Sequence, residues 1–181
     1  MIADIIHKVV QMGAEEEHSY HPRPSMAGPE RCIRQMVYHS LNIGREPLPG
    51  RSLMIMDDSR WHEELTADWI RKTAYQFSSQ QMKVEIGFMG SPAMSGNIDG
   101  ILTDMAGQDI LLEHKALNHF TFQRLEDGGL PLDYLTQCAL YLRGVQTVNP
   151  DLKNGLLLVK NKNTSAYLEF LLIYESDYLT V

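Results

Sequence analysis

The sequence predicts an α/β domain with a mixed β-sheet and helices on both faces of that sheet. Two observations predict this class. Short runs rich in Ile and Leu and bounded by turn residues, such as Asn97–Thr103 and Asp109–Glu113, are typical of strands. Apolar residues at helical spacing occur before and after these runs. With 181 residues, the chain is long enough for a single domain, 1–181, with a substantial core.

The N-terminal part of the chain is predicted to be helical. It begins with a helical segment that covers about residues 1–50. Apolar residues at helical spacing predict a helix over about Ile2–Met12, with Gly13 as its stop. A second helix is predicted at about Pro29–Leu41, because proline suits the first helical position. A third helix is predicted at about Asp57–Gln76. Its apolar stripe consists of Trp61, Leu65 and Trp69.

The C-terminal part is predicted to hold the sheet. The predicted strands lie at about Met82–Phe88, Gly96–Thr103, Asp109–His114, Gly155–Val159 and Ala166–Tyr174. His119–Leu130 is predicted to be a longer connection, and Pro131–Arg143 a helix.

Two acids and a lysine are predicted to meet in a hairpin. A turn around residues 106–108 would join two strands and set Asp99 beside Glu113, two residues before Lys115. Side chains alternate along a strand, so Glu113 and Lys115 share one face and the His114 side chain takes the other. Carboxylates suit Mg²⁺ or Mn²⁺, and a neighbouring lysine suits phosphate chemistry. The alternative is a salt-bridged group on the surface of a sheet.

Polar residues on two predicted helices flank the hairpin. His62 lies on the preceding helix, followed by Glu63 and Glu64. Gln137 and Tyr141, four residues apart, share one face of the following helix. The alternative for each of these side chains is helix packing.

This order, a His-Glu helix, an Asp strand, a Glu-x-Lys strand and a Gln-xxx-Tyr helix, resembles the PD-(D/E)XK nuclease superfamily. More specifically, it resembles the RecB-like branch, which includes CRISPR-adaptation and phage recombination exonucleases. The resemblance extends from about Ser25 to Tyr174. It implies a restriction-endonuclease-like core, in which helices flank a central mixed β-sheet in the order αβββαβ.

The resemblance also implies a site. The implied ligands of Mg²⁺ or Mn²⁺ are His62, Asp99, Glu113 and the backbone carbonyl of His114. If His62 points away, Glu63 or Glu64 would take its place. The implied catalytic residues are Asp99, Glu113, Lys115, Gln137 and Tyr141. Lys115 would orient or help deprotonate the attacking water and stabilise developing charge.

A net charge of −7 argues against a general basic DNA-binding surface, although a local groove and bound metal could still hold DNA. Candidate DNA contacts are Ser25, Arg31, Arg34, Phe120 and Arg124, with Lys160 and Lys162 as further basic candidates. The alternative for the charged residues is an ordinary solvated surface. For Phe120 and its neighbour Phe122, the alternative is packing.

The two cysteines, Cys32 and Cys138, are too few for the iron–sulfur cluster found in some relatives, which needs four thiolates. No such cluster is expected, and Cys32 is predicted to be a buried small apolar residue. Two cysteines without a secretory signal favour the reducing cytoplasm of a bacterial or phage-infected cell. No apolar run has the length of a membrane span, so no membrane partner is expected.

The first hypothesis for function is therefore a metal-dependent DNA nuclease. An exonuclease of recombination, repair or phage replication is favoured. Its substrate would be DNA that is linear, single-stranded or has ends, and its partner could be a recombinase or a helicase. The alternatives are a catalytically silent DNA-binding protein with the nuclease fold and a restriction-type endonuclease. The sequence leaves the oligomeric state open.

Overall fold

The computed structural model describes residues 1–13, 21–41, 43, 47–87, 94–175 and 178–180. The helices are α1 (Ile2–Met12), α2 (Ile33–Ser40), α3 (Gly50–Ile70), α4 (His119–Gly128) and α5 (Leu132–Val145), with a short 3₁₀ helix at Pro24–Met26. Within this part of the chain, no helix is long and apolar enough to cross a membrane.

Eight strands form two sheets among the described residues. The strands are β1 (Gln76–Ser78), β2 (Lys83–Ile86), β3 (Met94–Asn97), β4 (Gly100–Thr103), β5 (Asp109–Leu117), β6 (Asn154–Asn161), β7 (Tyr167–Glu175) and β8 (Tyr178–Thr180). The larger sheet has six strands in the order β1-β4-β5-β6-β7-β8, and β2 pairs with β3 in a second sheet. Only the pair β5–β6 is parallel among these neighbours. The fold is therefore mixed α/β, with a mostly antiparallel mixed sheet flanked by helices.

The two faces of β5 pack against different helices. Leu111 lies in a core cluster with Leu142 of α5. The next residue, Leu112, points to the opposite face and packs near Ile70 of α3. This alternation follows from the pleat of a strand. Consequently, α5 covers the face that carries Glu113, and α3 lies over the face that carries the side chain of His114.

Helix boundaries follow tertiary contacts more closely than local signals. Helix α1 matches the predicted bounds, although Gly13 ends it with a right-handed φ of −70°. Helix α3 begins seven residues before the predicted start and ends at Ile70. A Cβ on Gly50 would lie 2.0 Å from the backbone oxygen of His7, so the first turn of α3 packs directly on α1. That contact extends the helix to Gly50.

Three other predicted elements differ from the structure. The strand predicted over Gly96–Thr103 is divided at Ile98 and Asp99, so that β3 and β4 belong to different sheets. The stretch predicted as a connection forms α4, because the Asn118 side chain accepts a hydrogen bond from the Thr121 N–H and caps the helix. The predicted second helix loses its first turn and begins at Ile33. Phe88, the predicted end of β2, lies outside the described residues.

Burial also departs from prediction at two places. The stripe of α3 is exposed, with 69% of Trp61 and 41% of Trp69 accessible. Cys32 is exposed at the start of α2, whereas Cys138 is buried. The prediction that Cys32 is buried was therefore wrong, because α2 presents its N-terminus to solvent.

Gly28 holds the N-terminal segment against α5. Its φ is +137°, and a Cβ there would lie 2.0 Å from Oδ1 of Asp133. Gly28→Ala should therefore lower the free energy of unfolding by about 1–3 kcal/mol, from backbone strain and the clash. Thermal unfolding measures this as a loss of about 2–4 °C per kcal/mol. The control is Gly128→Ala at the end of α4, where the added Cβ meets nothing within 4 Å. Equal melting temperatures for the two variants would contradict this prediction.

Candidate active site

The hairpin of β4 and β5 opens at Asp99. The paired residues run from Thr103 opposite Asp109 to Gly100 opposite Leu112, so the next position in register sets Asp99 opposite Glu113. The strands are no longer paired there, and Oδ2 of Asp99 instead accepts a hydrogen bond of 2.6 Å from the backbone N–H of His114. The predicted register is confirmed, and it brings the two acids together.

The backbone of His114 faces the opening. Its N–H donates to Asp99, and the N–H and C=O of one strand residue point to the same side of the strand. The carbonyl oxygen of His114 therefore lies along the edge of β5 that β4 has left. The side chain points to the α3 face, where burial and the charge of Lys160 lower the pKa of its imidazole to about 4.

Glu113 is the buried centre of the site, with 3% of its surface exposed. Its Oε1 accepts hydrogen bonds from Lys115 Nζ at 2.5 Å and from Gln137 Nε2 at 2.6 Å. The predicted sharing of one strand face by Glu113 and Lys115 is confirmed. Among the described residues, both side-chain hydrogen bonds found for Glu113 end on the same oxygen.

The charges of the site compete strongly. Burial raises the pKa of Asp99 well above its usual value, and the neighbouring Glu113 and Glu63 raise it further. Burial also raises the pKa of Glu113, although Lys115 opposes this. Burial alone would lower the pKa of Lys115, but attraction to Glu113 and Asp99 outweighs it, so this pKa is raised. The lysine therefore stays protonated at neutral pH, whereas ionisation of both acids in so small a volume is unfavourable.

A cleft of about 540 Å³ opens above these residues. Its lining comes from α3, the β1–β2 turn, β5 and α5. The residues are Met56, Ser59, Arg60, Glu63, Glu64, Gln80, Gln81, Asp99, Glu113, His114, Lys115, Ala116 and Gln137.

Helix α3 presents Glu63 and His62 to different neighbours. The cleft-lining residues of α3 recur at helical spacing and include Ser59 and Glu63. His62 is not among the residues that line the cleft, and the Thr66 hydroxyl, four residues further on, is 3.0 Å from the Tyr167 hydroxyl of β7. Glu63 therefore lines the cleft, whereas His62 lies close enough to Lys160 of β6 and to Lys162 for their charges to act on its imidazole.

His62 has a polar neighbourhood of its own. Its Nε2 lies 3.8 Å from Oδ1 of Asp58, and its Nδ1 is buried without a hydrogen-bond partner in the described part of the chain. Burial and the charges of Lys160 and Lys162 lower the pKa of the imidazole. The role of His62 as a metal ligand stays a prediction.

The Gln137–Tyr141 face of α5 lies against the acids. Gln137 is buried and donates to Glu113. A Cβ on Gly96 would lie 2.8 Å from the Tyr141 hydroxyl, so this hydroxyl closely approaches the backbone of β3. Burial and the charge of Glu113 raise the pKa of Tyr141. The predicted pairing of the two side chains on one helix face is confirmed.

The predicted DNA contacts are dispersed. The exposed side chains among them are those of Ser25, Arg34, Phe120 and Arg124. Arg31 is also accessible, but its Nε lies 3.0 Å from Oδ2 of Asp133, so it anchors the N-terminal segment to α5.

Two further basic candidates, and one aromatic, are held inside the fold. Lys160 is fully buried, with its Nζ 4.4 Å from the centre of the Trp69 ring. Lys162 donates to Asp58 at 2.8 Å. Phe122 is a core residue of α4. Burial therefore keeps Lys160 out of a DNA groove, and the ion pair with Asp58 engages Lys162.

The side chains alone do not form a complete metal cage. Among the described residues, no group of three or more His, Cys, Asp or Glu side chains is arranged to hold a metal ion. The pair Asp99 and Glu113 would need the carbonyl of His114, water or a reoriented side chain to complete a coordination shell.

Gln81 is the site residue that the sequence did not reveal. Its Nε2 donates to Oε1 of Glu63 at 2.7 Å, and its φ is +57°. A left-handed glutamine carries no local sequence signal, because asparagine and glycine are the usual residues in that conformation.

Comparisons with known proteins bear on the fold alone. No protein-family model matches the chain, and no curated protein matches it. The crystal structure of SSO0001 is similar, with a TM-score of 0.54 and 15% sequence identity over 98% of this chain and 80% of that chain. At this identity, the similarity supports a mixed α/β fold with flanking helices.

Asp99→Asn should stabilise the metal-free protein at neutral pH. The raised pKa means that ionised Asp99 destabilises the fold at pH values above that pKa. The stability gained by the variant should be complete above that pKa. It should vanish as the pH falls through this pKa towards about 4. Thermal unfolding in EDTA should show about 2–4 °C for each kcal/mol gained. Asp151→Asn, at an exposed acid, serves as the control. A gain that persists unchanged in acid would contradict the electrostatic cause.

Proposed function

We propose that this chain is a metal-dependent DNA nuclease of the PD-(D/E)XK superfamily, RecB-like branch, with a restriction-endonuclease-like core. One observation carries the proposal: Asp99 and the Glu113-x-Lys115 segment meet where β4 leaves β5. This open edge offers carboxylates, a backbone carbonyl and an ammonium group in one cleft.

The donor set fits Mg²⁺ or Mn²⁺. Asp99, Glu113 and the carbonyl of His114 offer hard oxygen ligands along one edge. Both hydrogen bonds of Glu113 use Oε1, which supports Oε2 as its ligand atom. The mutual repulsion of the acids is relieved when a cation binds between them. When bound, a divalent cation lowers the pKa of water and offsets phosphate charge.

Lys115 acts as a cation in this reaction. Its raised pKa keeps it protonated, so it donates hydrogen bonds more readily than it accepts a proton. The ammonium, held by Glu113, can orient the attacking water and stabilise negative charge on the phosphate in the transition state. Gln137 fixes Glu113 from α5, and Tyr141, one turn further along the same helix, keeps its proton because its pKa is raised.

We favour an exonuclease of recombination, repair or phage replication that acts on DNA ends, with a recombinase or helicase as its partner. This choice rests on the resemblance to the RecB-like branch, whose Gln-xxx-Tyr helix matches Gln137 and Tyr141. The intact set of Asp99, Glu113 and Lys115 argues against a silent DNA-binding protein. A restriction-type endonuclease remains the alternative with the same core.

The purified chain should degrade linear DNA with Mg²⁺ or Mn²⁺ and lose this activity in EDTA. Asp99→Ala and Glu113→Ala should reduce cleavage below detection because each removes a ligand. Both variants should remain folded by circular dichroism. Cleavage at the wild-type rate by either variant, or cleavage in the presence of chelator, would contradict the metal mechanism.

DNA topology separates the two nuclease alternatives. An exonuclease should degrade linear or nicked DNA and leave a covalently closed circle intact, because it needs an end. Gel analysis of matched linear, nicked and closed forms of one plasmid measures this. Linearisation of the closed circle would favour the endonuclease.

Lys115→Ala should lower kcat by about 10²–10³-fold, matching the loss of about 2.7–4 kcal/mol seen when a charge-stabilising donor is removed. DNA affinity in Ca²⁺, measured by fluorescence anisotropy, should change much less. Lys115→Arg should rescue poorly, because the guanidinium is bulkier and planar. Lys153→Ala, at an exposed lysine before β6, is the control. Unchanged single-turnover rates with greatly weakened binding would make Lys115 a phosphate anchor instead.

A further inference from the structure

Helix α1 exposes a continuous apolar stripe. Its members recur at helical spacing, and none of them is buried. They are Ile2 (74% exposed), Ile5 (58%), Ile6 (44%), Val9 (63%) and Met12 (72%). Exposed apolar side chains that occur singly are ordinary, whereas an uninterrupted stripe of them marks a surface that binds a partner. The α1 stripe is therefore a candidate interface.

The opposite face of α1 makes the contacts within the chain. His7, Val10 and Gln11 are half-buried, and the backbone of His7 lies against Gly50 of α3. Successive helix residues differ by about 100°, which places these three residues on the side of α1 opposite the stripe. The packing of α1 on α3 therefore directs the stripe away from the rest of the fold.

The exposed apolar surface continues onto α3. Met54 lies one turn after Gly50 on the same side of α3 and is 38% exposed, and Ile55 beside it is 54% exposed. Together with the stripe, these side chains present an area on the order of 500 Å². Two copies would then bury on the order of 1,000 Å² in total, which is the lower limit for a specific interface. The area suits a reversible association of two copies.

The charges beside the stripe complement a second copy of the same helix. Asp4 and Lys8 are exposed and, four residues apart, lie on one flank of α1. In an antiparallel pair of α1 helices with a twofold axis beside Ile6, Asp4 of each copy lies level with Lys8 of the other. Within the chain, Asp4 lies 3.0 Å from the N-terminal ammonium of Met1, but this ion pair is solvent-exposed and contributes little.

An anionic partner suits this surface less well than a second copy does. Amphipathic helices that bind anionic membranes are rich in Lys and Arg beside their apolar face. Helix α1 has Lys8 as its only lysine or arginine, accompanied by Asp4, and the chain has a net charge of −7. Repulsion by this net charge opposes contact with an anionic lipid surface.

We propose that two copies of this chain associate through the α1 stripe, extended by Met54 and Ile55, in an antiparallel arrangement that pairs Asp4 of each copy with Lys8 of the other. The interface is small, so the association is reversible, with a dissociation constant in the micromolar range. It uses none of the acids or the lysine of the cleft, so it holds or fails independently of the proposed nuclease function.

Sedimentation velocity of the full chain from about 1 to 200 μM should show a monomer that becomes a dimer over this range. Ile5→Asp should weaken this self-association at least about tenfold, because the dimer would bury two unpaired carboxylates. Met105→Asp, at a methionine of the β4–β5 turn that is 89% exposed, is the matched control and should associate as the wild type does. A monomeric wild type throughout, or equal behaviour of the two variants, would overturn the proposal.

An exchange of charges identifies the second copy as the partner. Asp4→Lys and Lys8→Glu each set like charges opposite one another in the dimer, so each variant alone should associate at least about tenfold more weakly at low salt. An equimolar mixture of the two should regain the wild-type affinity, because every pair then joins opposite charges. Native mass spectrometry distinguishes the mixed dimer by its mass. A mixture that associates no better than either variant alone would refute the arrangement.

Vesicles of phosphatidylserine and phosphatidylcholine test the lipid alternative. The wild-type chain should stay in the supernatant when these vesicles are sedimented. Binding of the chain to the vesicles that Ile5→Asp abolishes and Met105→Asp retains would make the stripe a membrane-binding surface and overturn the proposal. Metal-dependent cleavage of DNA, measured separately, is not decided by either result.

Discussion

The departure of β4 from β5 at Asp99 is the constraint on which the site depends. As long as the strands are paired, the backbone groups of β5 are used in the sheet. Beyond Leu112, one of them is taken by a carboxylate, because Asp99 accepts from the N–H of His114. The same break therefore supplies an acid, an accessible carbonyl and the room for a substrate. If β4 continued along β5, this edge would offer no acid, no accessible carbonyl and no room for a substrate.

The second constraint is the rotation of α3 over the sheet. Lys162, just beyond β6, donates to Asp58, and Thr66 pairs with Tyr167 of β7. These contacts hold α3 in a rotation that places Glu63 over the cleft. Contacts between α3 and the C-terminal strands thus help to determine which side chain enters the cleft. Substitutions at the residues that form these contacts should disturb the site, although they replace none of its acids or its lysine.

The accuracy of the sequence-based predictions follows the range of the interactions involved. The Asp99–Glu113 register was predictable because a short hairpin and the strand period determine it. The position of Glu63 over the cleft was not predictable, because adjacent helix residues differ by about 100° and the rotation of α3 depends on contacts about a hundred residues away. The early start of α3 at Gly50 likewise depends on packing against α1. The presence of Gln81 in the site was not predictable from the sequence either, because it depends on the folded turn.

A crystal of the wild-type chain soaked in Mn²⁺, with data collected at the manganese absorption edge, tests the central claim most directly. The account predicts one anomalous peak at the edge of β5, with carboxylate oxygens of Asp99 and Glu113 at about 2.0–2.2 Å. An ion bound away from both Asp99 and Glu113, or no ion at saturating Mn²⁺, would contradict the account.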